Sequence, residues 1–213
     1  MLICFSSRCI DVLRLLTSGE RKKHTELATR AWKLLHGVCL PAPNHICAEK
    51  FISCRNSISL LNRTQPSILK NFVPAYVVGD GNCLFCSVSL AMYGTESHHI
   101  LFRTLAAVEV FEHRTWYDAS DANSEHPLRK VADIVLPSYD ELCREVAGLG
   151  QYCDISAVLA VSSVLGLPVQ TFWPPLHGLC LQHPLMQLVV GRHVQSHTKA
   201  ITIIYVKKHQ FIT

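Results

Sequence analysis

Hydrophobic and polar positions follow two different regimes along the chain. Before about residue 70, apolar positions recur at helical spacing in only two stretches, roughly 10–16 and 25–35, the second carrying Leu27, Ala31, Leu34 and Leu35 on one face. Such a face reads as ordinary packing rather than as a recognition helix. Pro41, Pro43 and Pro66, among scattered Asn, Ser and Cys, then break any period. Residues 1–70 are therefore expected to be an N-terminal helical extension or linker.

From Pro74 the punctuation becomes regular. The apolar run 75–78 is strand-like and stops at Gly79-Asp80-Gly81, after which Leu84, Phe85, Val88, Ala91 and Met92 predict a buried helix closed by Tyr93-Gly94. Ser97 is placed to cap a following helix with Leu101, Leu105, Val108 and Glu112 along its stripe. Ser138 followed by Glu141 matches a capping box and predicts a helix over 139–147. Asp154 can cap another, bearing Ile155, Val158, Leu159 and Leu165 and ended by Gly166. Strand compositions follow at 168–173 and 200–206. Helices alternating with a few strands predict an α/β (α+β) fold, a small central sheet covered by helices, over residues 71–213.

Composition supports a folded chain. Of 213 residues, 49% are hydrophobic and 17% charged, so core material is ample. The net charge of +4, from 20 Lys and Arg against 16 Asp and Glu, does not require nucleic acid as partner. Ten irregularly spaced cysteines in a chain too large to need stapling suit a reduced, intracellular setting, cytoplasm or nucleus. The apolar start lacks a basic flank and is interrupted by Arg8, Asp11 and Arg14, so neither a signal peptide nor a membrane span is expected.

The chemistry concentrates at Cys83. A thiol opening a helix is acidified by the helix dipole and the outward backbone N–H groups, and the glycines before it let the backbone bend sharply toward a substrate. Exposed amides of such a turn are the usual material of an oxyanion hole. By position alone, a buried structural cysteine remains the plainer reading. Cys86 also makes Cys-x-x-Cys at a helix start, as in a thioredoxin-like redox pair, although the alternating strands and helices of that fold do not follow. No second Cys or His pair lies at structural-zinc spacing, so no metal and no cofactor is expected.

The run from Val77-Val78 through Gly79-Asp80-Gly81-Asn82-Cys83-Leu84-Phe85 to Ser89, with Tyr93-Gly94-Thr95-Glu96 after it, resembles the nucleophile signature of the ovarian-tumour (OTU) cysteine peptidases. The resemblance continues through 101–114, 159–169 and 201–204, and is closest to the vertnin-like and transposon-associated branch. It implies the OTU fold, with Cys83 as nucleophile and Asp80, Gly81 and Asn82 in the turn that lines the oxyanion hole. It also implies a histidine base shortly after the strand at 200–206, where His209 is the one candidate. The implied activity is a thiol isopeptidase acting on ubiquitin or ubiquitin-like protein conjugates.

Two features depart from the family pattern. Cys86 stands where Arg or another residue is usual, and the C-terminal hairpin is shorter than in the family. Either His209 is the base on a tightened turn, or the histidine belongs to a C-terminal stretch that has been lost. The alternative to an enzyme is therefore a catalytically inactive OTU-fold interaction module of vertnin-like or mobile-element origin.

Overall fold

The computed structural model describes residues 2–19, 23–42, 51–129, 136–172, 188–195, 200–207 and 210–212. The helices in chain order are α1 (Leu2–Ser18), α2 (His24–Leu34), α3 (Arg55–Thr64), α4 (Cys83–Tyr93), α5 (His99–Glu112), α6 (Arg114–Tyr117), α7 (Tyr139–Ala147) and α8 (Ile155–Leu165). The strands are β1 (Val169–Phe172), β2 (Leu188–Val189), β3 (Ile201–Lys207) and β4 (Gln210–Ile212). No helix among the described residues is long and apolar enough to cross a membrane.

Helix α5 is the axis of the molecule. It packs against α1, α2, α4, α7 and α8, and every residue from Phe102 to Phe111 is buried. The one-sided stripe expected from Leu101, Leu105 and Val108 is in fact a helix covered on nearly all sides. Ala106 and Ala107 explain part of this, since small side chains let neighbouring helices approach closely. Burial on all sides has a cost: Arg103 and Glu109 are taken into the interior and must find polar partners there. Glu109 finds Arg192, at 3.1 Å from its Nε, and the Tyr117 hydroxyl at 3.2 Å.

Helices α1 and α2 belong to the same packed body. Val12, Leu13 and Leu16 from the first, and Leu27, Ala28, Ala31 and the adjoining Leu35, share one core cluster with Val88, Phe102 and Leu142. The Trp32 indole N–H donates to Glu112 at 2.7 Å, adding a polar fastening at the rim. Residues 55–64, where no period was visible, form α3, which buries Leu61 in a satellite cluster with Cys54 and Ile68.

Helix ends follow local chemistry closely. Ser138 accepts from the Glu141 amide while the Glu141 carboxylate accepts from the Ser138 amide at 2.9 Å, a complete capping box. Asp154 caps α8 through the Ser156 amide at 2.9 Å. Gly94 and Gly166 close α4 and α8 at φ 71° and 64°, the left-handed geometry that glycine adopts without strain. Ser97 is not the cap expected of it. The N-cap position of α5 is His98, whose amide donates to Ser89 Oγ at 3.1 Å, while Ser97 bonds within its own turn.

The sheet has the order β2-β1-β3-β4. β1 and β3 run parallel, pairing Val169 with Ile201 through Phe172 with Ile204, whereas β2 and β4 add antiparallel edges. Helix α4 lies against β3 and β4, and α8 against β1 and β2. The strand expected at 75–78 does not join this sheet. It is extended, with Ala75 and Val77 buried and Tyr76 and Val78 exposed, but makes only one bridge, Ser53 to Ala75.

Candidate active site

The turn before α4 is built from its own side chains. Asp80 Oδ1 accepts the Asn82 amide at 2.9 Å and its Oδ2 the Asn82 side-chain amide at 3.3 Å, closing an Asx-type turn. Gly81 sits at φ +86°, a conformation other residues adopt only with strain. The first helical bond runs from the Cys86 amide to the Asn82 carbonyl at 3.0 Å, so Cys83 opens α4. Asp80, Gly81, Asn82 and Cys83 are thus brought together within one turn. The thiol stands at the positive end of a helix dipole.

A second loop closes on the first. Gly150 donates its amide to Asn82 Oδ1 at 3.0 Å, and the Tyr152 hydroxyl donates to the Gly79 carbonyl at 2.9 Å. The two backbones touch so closely that a Cβ on Gly81 would overlap the Gly150 carbonyl. Beneath both lies Arg103, with no exposed surface. Its Nη2 donates to the carbonyls of Gly81 at 2.6 Å and Gln151 at 2.8 Å. Its Nη1 donates to those of Glu145 at 2.8 Å, Val146 at 3.3 Å and Gly148. The guanidinium also lies 4.5 Å from the centroid of the Phe85 ring.

The electrostatics around the turn separate the two cysteines of α4 from their surroundings. Burial pushes the Cys86 thiol far above its ordinary range, and Glu96, Asp80 and Cys83 push it in the same direction. Cys86 is therefore a protonated thiol at neutral pH, unlike an acidic redox cysteine. Neither Cys83 nor Cys86 is in a disulfide. Cys83 is 1% exposed, so the thiol is covered in this structure. Next to that loop, burial raises Glu145 to about 7 and Asp154 to about 6.

His209 lies outside the described residues. The strands that bracket it in sequence, β3 and β4, both pack against α4, the helix that Cys83 opens. No group of three or more His, Cys, Asp or Glu suited to a metal occurs among the described residues. Sequence reasoning missed Arg103, Gly150 and Tyr152. For Arg103 a signal was present, a cation between Phe102 and Leu105 in a run otherwise apolar, but its partners lie 22 to 48 residues away.

The sequence profile described as "Vertnin, OTU domain" matches residues 74–206, more than half of the chain. The chain belongs to the vertnin OTU-domain family. Its matched segment starts just before the nucleophile-type turn and ends within β3. No curated protein matches it. Among solved structures, "Structure of OTUD1 OTU domain" superposes with a TM-score of 0.50 at 16% identity, covering 73% of this chain and 97% of that one. At that identity the likeness speaks to the fold, which is the helix-rich OTU domain with its small sheet.

Proposed function

We propose that this OTU domain is a thiol isopeptidase that hydrolyses ubiquitin or ubiquitin-like protein conjugates. The observation that carries the reading is Cys83 as the first residue of a helix, behind a glycine turn braced by a second loop. In the reaction, the Cys83 sulfur attacks the isopeptide carbonyl carbon, and the negative charge developing on its oxygen is met by backbone amides of the turn other than that of Asn82, which Asp80 holds. The lysine amine departs with a proton from the base, for which His209 is the candidate. Water then attacks the thioester carbonyl, releasing the modifier's carboxylate and restoring the thiol. Asp80 holds the turn in shape through Asn82.

The surroundings of the turn favour a protein substrate. Tyr76 and Val78 on one side, and Leu149 and Tyr152 on the other, are large apolar side chains exposed by 39 to 52%. Exposed apolar groups gathered at one place mark an interaction surface more often than a small-molecule pocket. The proposed catalytic domain spans 71–213, with residues 1–70 as its helical extension. A reduced compartment, cytoplasm or nucleus, suits the free thiols at Cys83, Cys86, Cys143 and Cys153. Neither a membrane nor nucleic acid enters the mechanism.

One observation favours the other reading, a non-catalytic OTU module: Cys83 is almost wholly covered. Cleavage of ubiquitin carrying a fluorogenic C-terminal amide separates the two. The wild-type protein is expected to turn it over, Cys83→Ala to be inactive and His209→Ala to lose at least about a hundredfold in kcat. A folded wild-type protein with no turnover would leave the interaction module standing.

A further inference from the structure

The turn that carries Cys83 is short, contains two glycines and includes a residue in the left-handed region; the Asp80–Asn82 hydrogen bonds close it locally but do not fix where it sits against the rest of the fold. Its placement is imposed from below. Arg103, on the central helix, reaches both the Gly81 carbonyl and four carbonyls between Glu145 and Gln151. All these acceptors are main-chain oxygens, one in the turn before α4 and the others in the last turn of α7 and the loop that follows it, segments far apart in the chain. The bridging uses the N–H groups of Nη1 and Nη2, spread across a planar fork, while Nε makes no hydrogen bond among the described residues; lysine, with a compact ammonium, cannot reproduce that spread.

The charge matters as well as the fork. A buried guanidinium held by main-chain carbonyls, with the Cys153 side chain also against it, is a cation whose field is poorly screened. The guanidinium is bonded to the Gly81 carbonyl at 2.6 Å and lies 4.5 Å from the Phe85 ring, two residues to either side of Cys83, which puts Cys83 beside the cation. Burial lowers the Arg103 pKa, while Cys153 first, then Cys83 and Asp80, draw it back up.

Resting on the reading of Cys83 as nucleophile, we propose that Arg103 is the positioning residue of the active turn. It clamps the Gly81 peptide and the 145–151 segment in one arrangement, and its charge favours the Cys83 thiolate from beneath. The clamp sets the direction of the amides beyond Gly81. The charge sets the fraction of the thiol that is ionised.

The two effects separate experimentally. Carbamidomethylation of Cys83 by iodoacetamide, followed by mass spectrometry of its peptide as a function of pH, reads thiol acidity without any enzyme substrate. Arg103→Met is expected to raise the reactivity midpoint by about one pH unit or more. Arg103→Lys is expected to keep the midpoint near the wild-type value while kcat on the ubiquitin amide falls at least about tenfold. A folded Arg103→Met protein with the wild-type midpoint would overturn the role of the charge.

Should Arg103→Met fail to fold, Arg103→Lys and Gly81→Ala carry the test. A midpoint that rises in the lysine variant, where the cation is kept, would count against the charge. The Cβ of Gly81→Ala pushes the turn off Gly150 while leaving the cation in place. Loss of kcat with an unmoved midpoint is expected there, and an unchanged kcat would overturn the clamp. If the wild-type protein cleaves no ubiquitin amide, the alkylation midpoints still test Arg103, so failure of the enzyme reading and failure of this inference are distinguishable.

Discussion

At the scale of single residues, buried polar groups set the chemistry, and His126 shows how they also set pH dependence. It is 4% exposed, its Nε2 has no hydrogen-bond partner among the described residues, and burial lowers its pKa from 6.5 to about 4. Above pH 7 the ring is neutral whether the chain is folded or not. Below 6.5 the unfolded chain takes up a proton that the native ring resists, so the His126 contribution to stability falls through that window and levels off near pH 4. The loss is on the order of 3 kcal/mol. Glu145 and Asp154, raised by burial, slope the other way, their stabilisation being lost as pH rises through about 6 to 7. Denaturant midpoints of wild type and His126→Gln between pH 7 and 4 isolate the histidine: the wild-type advantage should shrink as pH falls. A constant gap would remove His126 as a titrating group.

Secondary-structure elements were legible where side chain and backbone settle the matter within four residues. The capping box at Ser138, the Asp154 cap and the glycine stops at 94 and 166 are of this kind. Replacing Ser138 by Ala should cost about 1 kcal/mol, since it removes the hydroxyl that accepts the Glu141 amide while leaving the backbone amide that Glu141 accepts. Thermal unfolding reads that cost directly. The strand expected at 75–78 went wrong because its apolar run satisfies a half-buried extended segment as well as a sheet strand, and its partner is Ser53 rather than β1 or β3. Strand β2 and helix α3 depend on tertiary packing that no local period announces. Loop elements bear on function: Val78 and Leu149 adjoin the two segments that meet at the turn, both about half exposed. Val78→Ser with Leu149→Ser is expected to raise KM for a ubiquitin substrate several-fold with kcat little changed, a pattern of lost uniform binding. A fall in kcat alone would place the patch outside the binding surface.

For the molecule as a whole, the glycine turn that opens α4 at Cys83 was readable from five consecutive residues, but what holds it was not. Arg103 ties together Gly81 and Glu145 to Gln151 across the fold, and such contacts appear only when α5, α7 and the intervening loops are assembled. The N-terminal helices carry the same lesson. Leu27, Ala31, Leu34 and Leu35 looked like the packing face of an appendage; three of them lie in the core that also contains Val88 and Phe102, together with Leu13 and Leu16 of α1, while Leu34 is 44% exposed. Deleting residues 1–42 should therefore remove cooperative unfolding of the OTU domain rather than trim a tail, as judged by calorimetry. A sharp transition at the wild-type temperature would show the extension to be dispensable. The central claim, that Cys83 is the nucleophile of a ubiquitin-type isopeptidase, is tested most directly with ubiquitin bearing a C-terminal thiol-reactive electrophile. If it holds, one equivalent of ubiquitin becomes attached at Cys83, and Cys83→Ala abolishes the adduct. A folded wild-type protein that forms no adduct, or forms it on another cysteine, would contradict it.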